Sequence, residues 1–79
     1  MTAEELSKIP FKMVAHISMK HEHCATYRNA DYDMAYCVHT KRKDDGSFGQ
    51  SYTHYQYKGK VYKTKAKFLE AIQDVKYHD

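Results

Sequence analysis

From Phe11 to Lys20 the chain reads FKMVAHISMK, in which Phe11, Met13, Ala15, Ile17 and Met19 alternate with Lys12, Val14, His16, Ser18 and Lys20. An apolar face opposite a largely polar one at a period of two predicts a half-buried strand over 11–19. A helix starting at Pro10 competes, because Phe11, Val14 and Ile17 also share a helical face. The length of the alternation favours the strand. Upstream, Thr2-Ala3-Glu4-Glu5 has the spacing of a capping box and predicts a short helix over 3–8. That helix should stop at Ile9, since the residue before a proline is biased away from helical geometry.

Downstream, HCATYRN (23–29) and MAYCVHT (34–40) read as a second and a third strand about the polar turn Asn29-Ala30-Asp31-Tyr32-Asp33. Asp45-Gly46, followed by Gly49, marks a hairpin loop. SYTHYQY (51–57) sets Tyr52, His54 and Gln56 against Thr53, Tyr55 and Tyr57, the alternation of a strand. Lys58-Gly59 then turns the chain into a short strand, KVYK. Thr64 is the expected N-cap of a last helix over 65–77, whose Phe68, Ala71, Ile72 and Val75 form one apolar stripe with Leu69 beside it. The expected fold class is therefore α+β. It has two layers: an antiparallel sheet of four to five strands, with a short N-terminal helix and a C-terminal helix packed on one face.

Length narrows the picture further. With 79 residues the chain is one domain, 1–79, with little core to give up to a deep cleft or a large cofactor pocket. No cofactor and no enzymatic activity are expected. The sequence carries no nucleophile elbow, no phosphate-cradling glycine loop and no His-Glu-x-x-His. No apolar run approaches 18 residues, so no membrane insertion is expected. The N-terminal MTAEELSKIP lacks the apolar centre of a signal peptide, which points to a cytoplasmic location.

The densest chemistry lies in KHEHCATYRNADYDMAYCVH, residues 20–39. A hairpin centred on Ala30–Asp31 would set Cys24 opposite Cys37 and Glu22 opposite His39. Those four side chains then share one face of the sheet, with His21 and His23 on the other. A Cys₂His metal site of Cys24, Cys37 and His39, with Glu22 as a carboxylate, fits this placement, but no Cys-x-x-Cys pair is present. A disulfide is a further alternative. Two packed thiols with surface histidines is the preferred reading, because free cysteines are among the most buried residues. Cys37 and His39, two apart on one strand, stand about 7 Å from each other, too far for a direct thiol–imidazole hydrogen bond.

Charge and tyrosine content suggest two ways of working by binding. The net charge of +3 is uneven: residues 1–39 carry four Lys/Arg and five Asp/Glu, residues 40–79 nine and five. Lys41, Arg42 and Lys43 form one basic patch, and Lys58, Lys60, Lys63, Lys65 and Lys67 a second. Tyr52, Tyr55, Tyr57 and Tyr62 lie nearby in the sequence. Aromatic rings on a lysine-flanked sheet can stack bases and hold phosphates. The same tyrosines, with Lys58, Lys60 and Lys63, also suit a protein-contact surface, where a ring supplies area and a hydrogen bond at low entropic cost.

The succession of strand, Asp-Gly loop, Tyr-rich strand and VYKTKAKFLEAI over residues 34–77, with Gly59, Lys60, Tyr62, Lys63 and Thr64, resembles the arm-type DNA-binding domains of phage-type integrases. That resemblance implies a three-stranded sheet entering the major groove. It departs at Phe68, where the family prefers a small residue. As a whole, the short motif-poor α+β chain also resembles in type the small early proteins with which lytic bacteriophages take over their hosts. This implies a monomer or homodimer, in the host cytoplasm, that binds and inhibits or redirects a host protein of transcription, replication or division. A nucleic-acid-binding module is the alternative.

Overall fold

The computed structural model of the chain describes residues 1–78. Five strands form one antiparallel sheet in sequence order: β1 Lys12–Ser18, β2 Glu22–Asn29, β3 Met34–Arg42, β4 Phe48–Tyr57 and β5 Lys60–Tyr62. Two short helices, α1 Ala3–Ser7 and α2 Lys65–Ala71, complete the α+β domain. Neither is long and apolar enough to cross a membrane. For the segment 11–19 the strand alternative holds, over Lys12–Ser18.

Local chemistry places the ends of the elements. Thr2 and Glu5 form the capping box of α1: the Glu5 N–H donates to Thr2 Oγ1 at 3.2 Å and the Thr2 N–H to Glu5 Oε1 at 2.9 Å. Thr64 caps α2 by accepting from the Lys67 N–H at 3.2 Å. Lys58 and Gly59 both have positive φ, 50° and 81°, the backbone of the tight turn between β4 and β5.

Helix α2 is shorter than its apolar stripe suggests. It ends at Ala71 with Ile72 as C-cap, instead of running on to 77. Beyond Ile72 the chain turns back, with the Val75 N–H bonded to the Ile72 carbonyl at 2.9 Å. The Met1 amino group donates to the carbonyls of Ile72, Gln73 and Val75 at 2.8–2.9 Å, tying the start of the chain to the segment that follows α2. Val75 and Tyr77 still reach the core, from a reversed chain.

The core lies between the helices and one face of the sheet. Met1, Ile9, Met34, Phe68 and Ile72 are buried together, with Leu6, Phe11, Tyr55, Tyr57 and Tyr62 packed against them. The tyrosines have a structural explanation. Cross-strand pairing puts Tyr27, Tyr36, Tyr55 and Tyr62 in one row on the helix side. Tyr27 stacks on Tyr36 with ring centroids 5.0 Å apart, Phe11 tilts onto Tyr36 at 5.1 Å, and Phe68 of α2 stacks on Tyr55 at 5.0 Å. Burying a side chain the size of Phe68 stabilises the fold by about 1.5–3 kcal/mol.

Two details of the sheet differ from the sequence expectation. The β2–β3 hairpin pairs Asn29 with Met34 and Cys24 with His39, two residues out of the register expected from a turn centred on Ala30–Asp31. The cause is a four-residue loop, 30–33. Asn29 Oδ1 accepts the Tyr32 N–H at 3.1 Å, and Asp33 takes a left-handed φ of 54°. Because the shift is even, each side chain keeps its expected face. In β1, by contrast, a bulge between Met13 and Ala15 reverses the alternation. Met13 pairs with Tyr27 on the helix side, while Ile17 pairs with Cys24 on the open side. The single apolar face expected for 11–19 is thus divided between the two sides of the sheet.

Candidate functional site

The helices cover only part of the sheet. α2 packs on β4 and β5, leaving β1 with all seven residues exposed, in a molecule 45 Å long and about 22 Å across. Met13, Val14 and Ile17 are 54–59% exposed. β1 is the first strand of the sheet and has a neighbour on one side only. The Met19 N–H bonds to the Glu22 carbonyl at 2.8 Å. The alternation of an antiparallel pair then turns the backbone groups of Ser18 and His16 outward, away from β2. Lys12 and Lys20 bracket this edge, and neither has a carboxylate partner within ion-pair distance among the described residues.

A second constellation sits on the open side of the sheet, in two adjacent cross-strand rows. One row is Ile17, Cys24, His39 and Tyr52; the next is Ala15, Thr26, Cys37 and His54. His39 lies flat against Tyr52, with centroids 4.5 Å apart and planes 5° from parallel. This stacking leans the imidazole so that both nitrogens meet polar neighbours. Nδ1 is 3.1 Å from Cys24 Sγ and 3.6 Å from Glu22 Oε1, and Nε2 is 2.8 Å from His54 Nδ1. Glu22 also accepts the Tyr52 hydroxyl at 3.0 Å.

Two sets of donor atoms lie within 4.8 Å of one another: Cys37, His39 and His54, and Glu22, Cys24 and His39. Cys37 is buried and Cys24 half-buried, and both are free thiols. Burial, aided by the Glu22 carboxylate, pushes the Cys24 thiol above its ordinary pKa, so it keeps its proton. Burial and neighbouring His39 hold His54 below the ordinary imidazole value, so it stays neutral.

Glu22, Cys24, Cys37 and His39 therefore do share a face, as the alternation implied, while His23 lies on the helix side against His16 and Phe48. His54 was missing from the sequence reading of this cluster. Its strand is separated from β2 in sequence, and only the β3–β4 register sets it opposite Cys37. Its position two residues after Tyr52 on an alternating strand was the available signal.

The tyrosine and lysine groups are divided by the fold. Tyr55, Tyr57 and Tyr62 pack against the core on the helix side, whereas Tyr52 is 52% exposed on the open side. Lys58 and Lys60 lie over the rings of Tyr57 and Tyr62 at 5.4 and 5.6 Å. Lys63, Lys65 and Lys67 continue from there into the first turn of α2. Arg42 lies over Phe48 at the far end of β4 and donates to Ser18 Oγ at 2.9 Å, with Lys41 and Lys43 beside it in the chain. Nine residue steps along β4 separate the two basic patches by about 30 Å.

Comparisons with family models, with curated proteins and with solved structures find no match.

Proposed function

We propose that this protein works by binding, and that it takes an extended segment of a protein partner as a sixth strand against β1. The observation that carries the reading is the complete exposure of β1, an edge strand with apolar side chains on both of its faces. Exposed edges are normally guarded by charges, proline or bulges. Here Lys12 and the bulge guard one end, and Ala15–Ser18 carries no charged Lys, Arg, Asp or Glu. Strand addition uses the outward backbone groups for affinity and the alternate side-chain positions for specificity. A partner segment with apolar residues on both of its faces and an acidic residue near each end would complement Met13 on the helix side, Ile17 on the open side and the bracketing Lys12 and Lys20.

In keeping with the resemblance in type to early phage proteins, the partner is a host protein, which this chain inhibits or redirects. The alternative of a nucleic-acid-binding module draws on the lysine–tyrosine pairs at the β4–β5 turn. The distance between the basic patches weighs against a single groove.

The test is affinity capture from bacterial lysate after nuclease treatment, with the wild-type protein and the double variant His16→Pro, Ile17→Lys as baits. His16→Pro removes an outward N–H while sparing the ladder to β2. The expected result is one protein retained by the wild type and lost from the variant. Its binding segment, synthesised as a peptide, should also bind the wild type alone. Retention that disappears with nuclease, or that is equal for both baits, would overturn the proposal. A wild-type dimer in solution that the variant dissolves would instead assign the edge to a second copy of the chain.

A further inference from the structure

We propose that the open side of the sheet is a zinc-type metal site, with Cys37 Sγ, His39 Nε2 and His54 Nδ1 as the three protein ligands and a fourth position open to solvent. One thiolate and two imidazoles are a donor set suited to Zn²⁺, and three protein ligands with one free position is a common arrangement for a reactive or exchangeable ion. The site is independent of the β1 edge.

Ligand chemistry favours this set over the overlapping one of Glu22, Cys24 and His39, whose donor atoms also lie within 4.8 Å of one another: it offers two imidazoles and a thiolate and leaves Glu22 to orient His39. A single ion can take only one nitrogen of His39. Nε2 faces His54 at 2.8 Å, and Cys37 and His54 are direct cross-strand partners. Two nitrogens on one tetrahedral zinc, each at 2.0–2.1 Å, stand about 3.3 Å apart. The two rings therefore need to open by about half an ångström, and Cys37 Sγ, within 4.8 Å of them, has to close on the ion. The other ring nitrogen of His39 is already provided for. Nδ1 faces Cys24 Sγ at 3.1 Å and Glu22 Oε1 at 3.6 Å, and Glu22 is held in turn by the Tyr52 hydroxyl at 3.0 Å. A metal-bound histidine typically donates its second N–H to such a carboxylate, which fixes the tautomer and orients the ring. Tyr52, stacked flat on His39, fixes the ring plane.

Flat strand faces converge poorly on an ion, and this is the obstacle the arrangement overcomes. Cys37 and His39 are two residues apart on β3, too far for a thiol to reach an upright imidazole. Leaning on Tyr52 carries the His39 ring diagonally across to His54, into the row that contains Cys37. Binding requires the Cys37 thiol to lose its proton, so one proton leaves for each ion bound and affinity rises with pH.

The test is a titration of the reduced, tag-free full-length protein with Co²⁺, followed by displacement with Zn²⁺. The expected result is one cobalt per chain, with ligand-field bands of a tetrahedral site and a thiolate-to-cobalt charge-transfer band that zinc abolishes. His54→Gln should weaken cobalt binding at least tenfold, and Cys37→Ser should remove the charge-transfer band. Cys24→Ser should keep that band. Glu22→Gln should also keep it while weakening affinity about 10–100-fold. Circular dichroism of each variant shows that it remains folded. No thiolate band in the wild type would overturn the proposal. So would a band that survives Cys37→Ser and is lost in Cys24→Ser, which would place the ion on the other donor set.

Discussion

The side-chain amide of Asn29 donates to the carbonyl of Pro10 at 2.9 Å, across 19 residues of chain. Its oxygen meanwhile accepts the Tyr32 N–H at 3.1 Å. Asn29 is 8% exposed, so this one residue both ties the entry of β1 to the end of β2 and shapes the β2–β3 loop. Replacing it with alanine leaves the Pro10 carbonyl and the Tyr32 N–H short of a partner. Asn29→Ala should cost about 2–3 kcal/mol, measured as a lower urea midpoint with an unchanged slope. A midpoint within error of the wild type would show that water replaces both bonds.

The uneven cover of the sheet predicts an uneven response to truncation. Phe68, 1% exposed and stacked on Tyr55, anchors α2. Phe68→Ala should cost about 3–5 kcal/mol, a large fraction of what a core this small can supply. Ile17→Ala, on the bare edge, should change stability by no more than about 0.5 kcal/mol. Thermal unfolding of the two variants checks this, and similar losses for both would mean that β1 is covered in solution.

The helix cap can be tested separately from the core. Thr64→Ala removes the acceptor of the Lys67 N–H and should destabilise by about 1 kcal/mol, while Thr64→Asp should restore most of the loss. A thermal melt of each variant decides it.

Acid sensitivity follows from His54. Its folded pKa lies below the ordinary 6.5, from burial first and then from His39. The unfolded chain therefore takes up a proton at this residue more readily than the folded one. The stabilisation is complete above about pH 6.5 and is lost as pH falls through the folded value. Urea midpoints between pH 7.5 and 5 should fall for the metal-free wild type and fall less for His54→Gln. Parallel curves would mean that His54 is freely hydrated.

The backbone of the β4–β5 turn makes a sharper demand. Gly59 has φ of +81° and an added Cβ would meet nothing within 4 Å, so any penalty there is conformational. Gly59→Ala should destabilise by about 1 kcal/mol, readable in the same melts.

The elements of this protein were legible in its sequence because each has a local cause. Thr2 with Glu5, Thr64, Asp45-Gly46 and Lys58-Gly59 act within a few residues, and strand alternation assigned Glu22, Cys24, Cys37 and His39 to one face even though the register was two residues out. Parity survives an even shift, and for that reason the face was readable when the partner was not. The sequence alone thus determined an α+β domain, the order of its elements and the face of the sheet that Cys24 and Cys37 share. Only the tertiary structure decided where the helices sit. The packing of Phe68 on Tyr55 draws them to one end of the sheet, so β1 is left bare and Tyr55, Tyr57 and Tyr62 go to the core. It also decided that a bulge divides the apolar residues of β1 and that His54 meets His39, since both depend on pairing between strands, which no local pattern encodes.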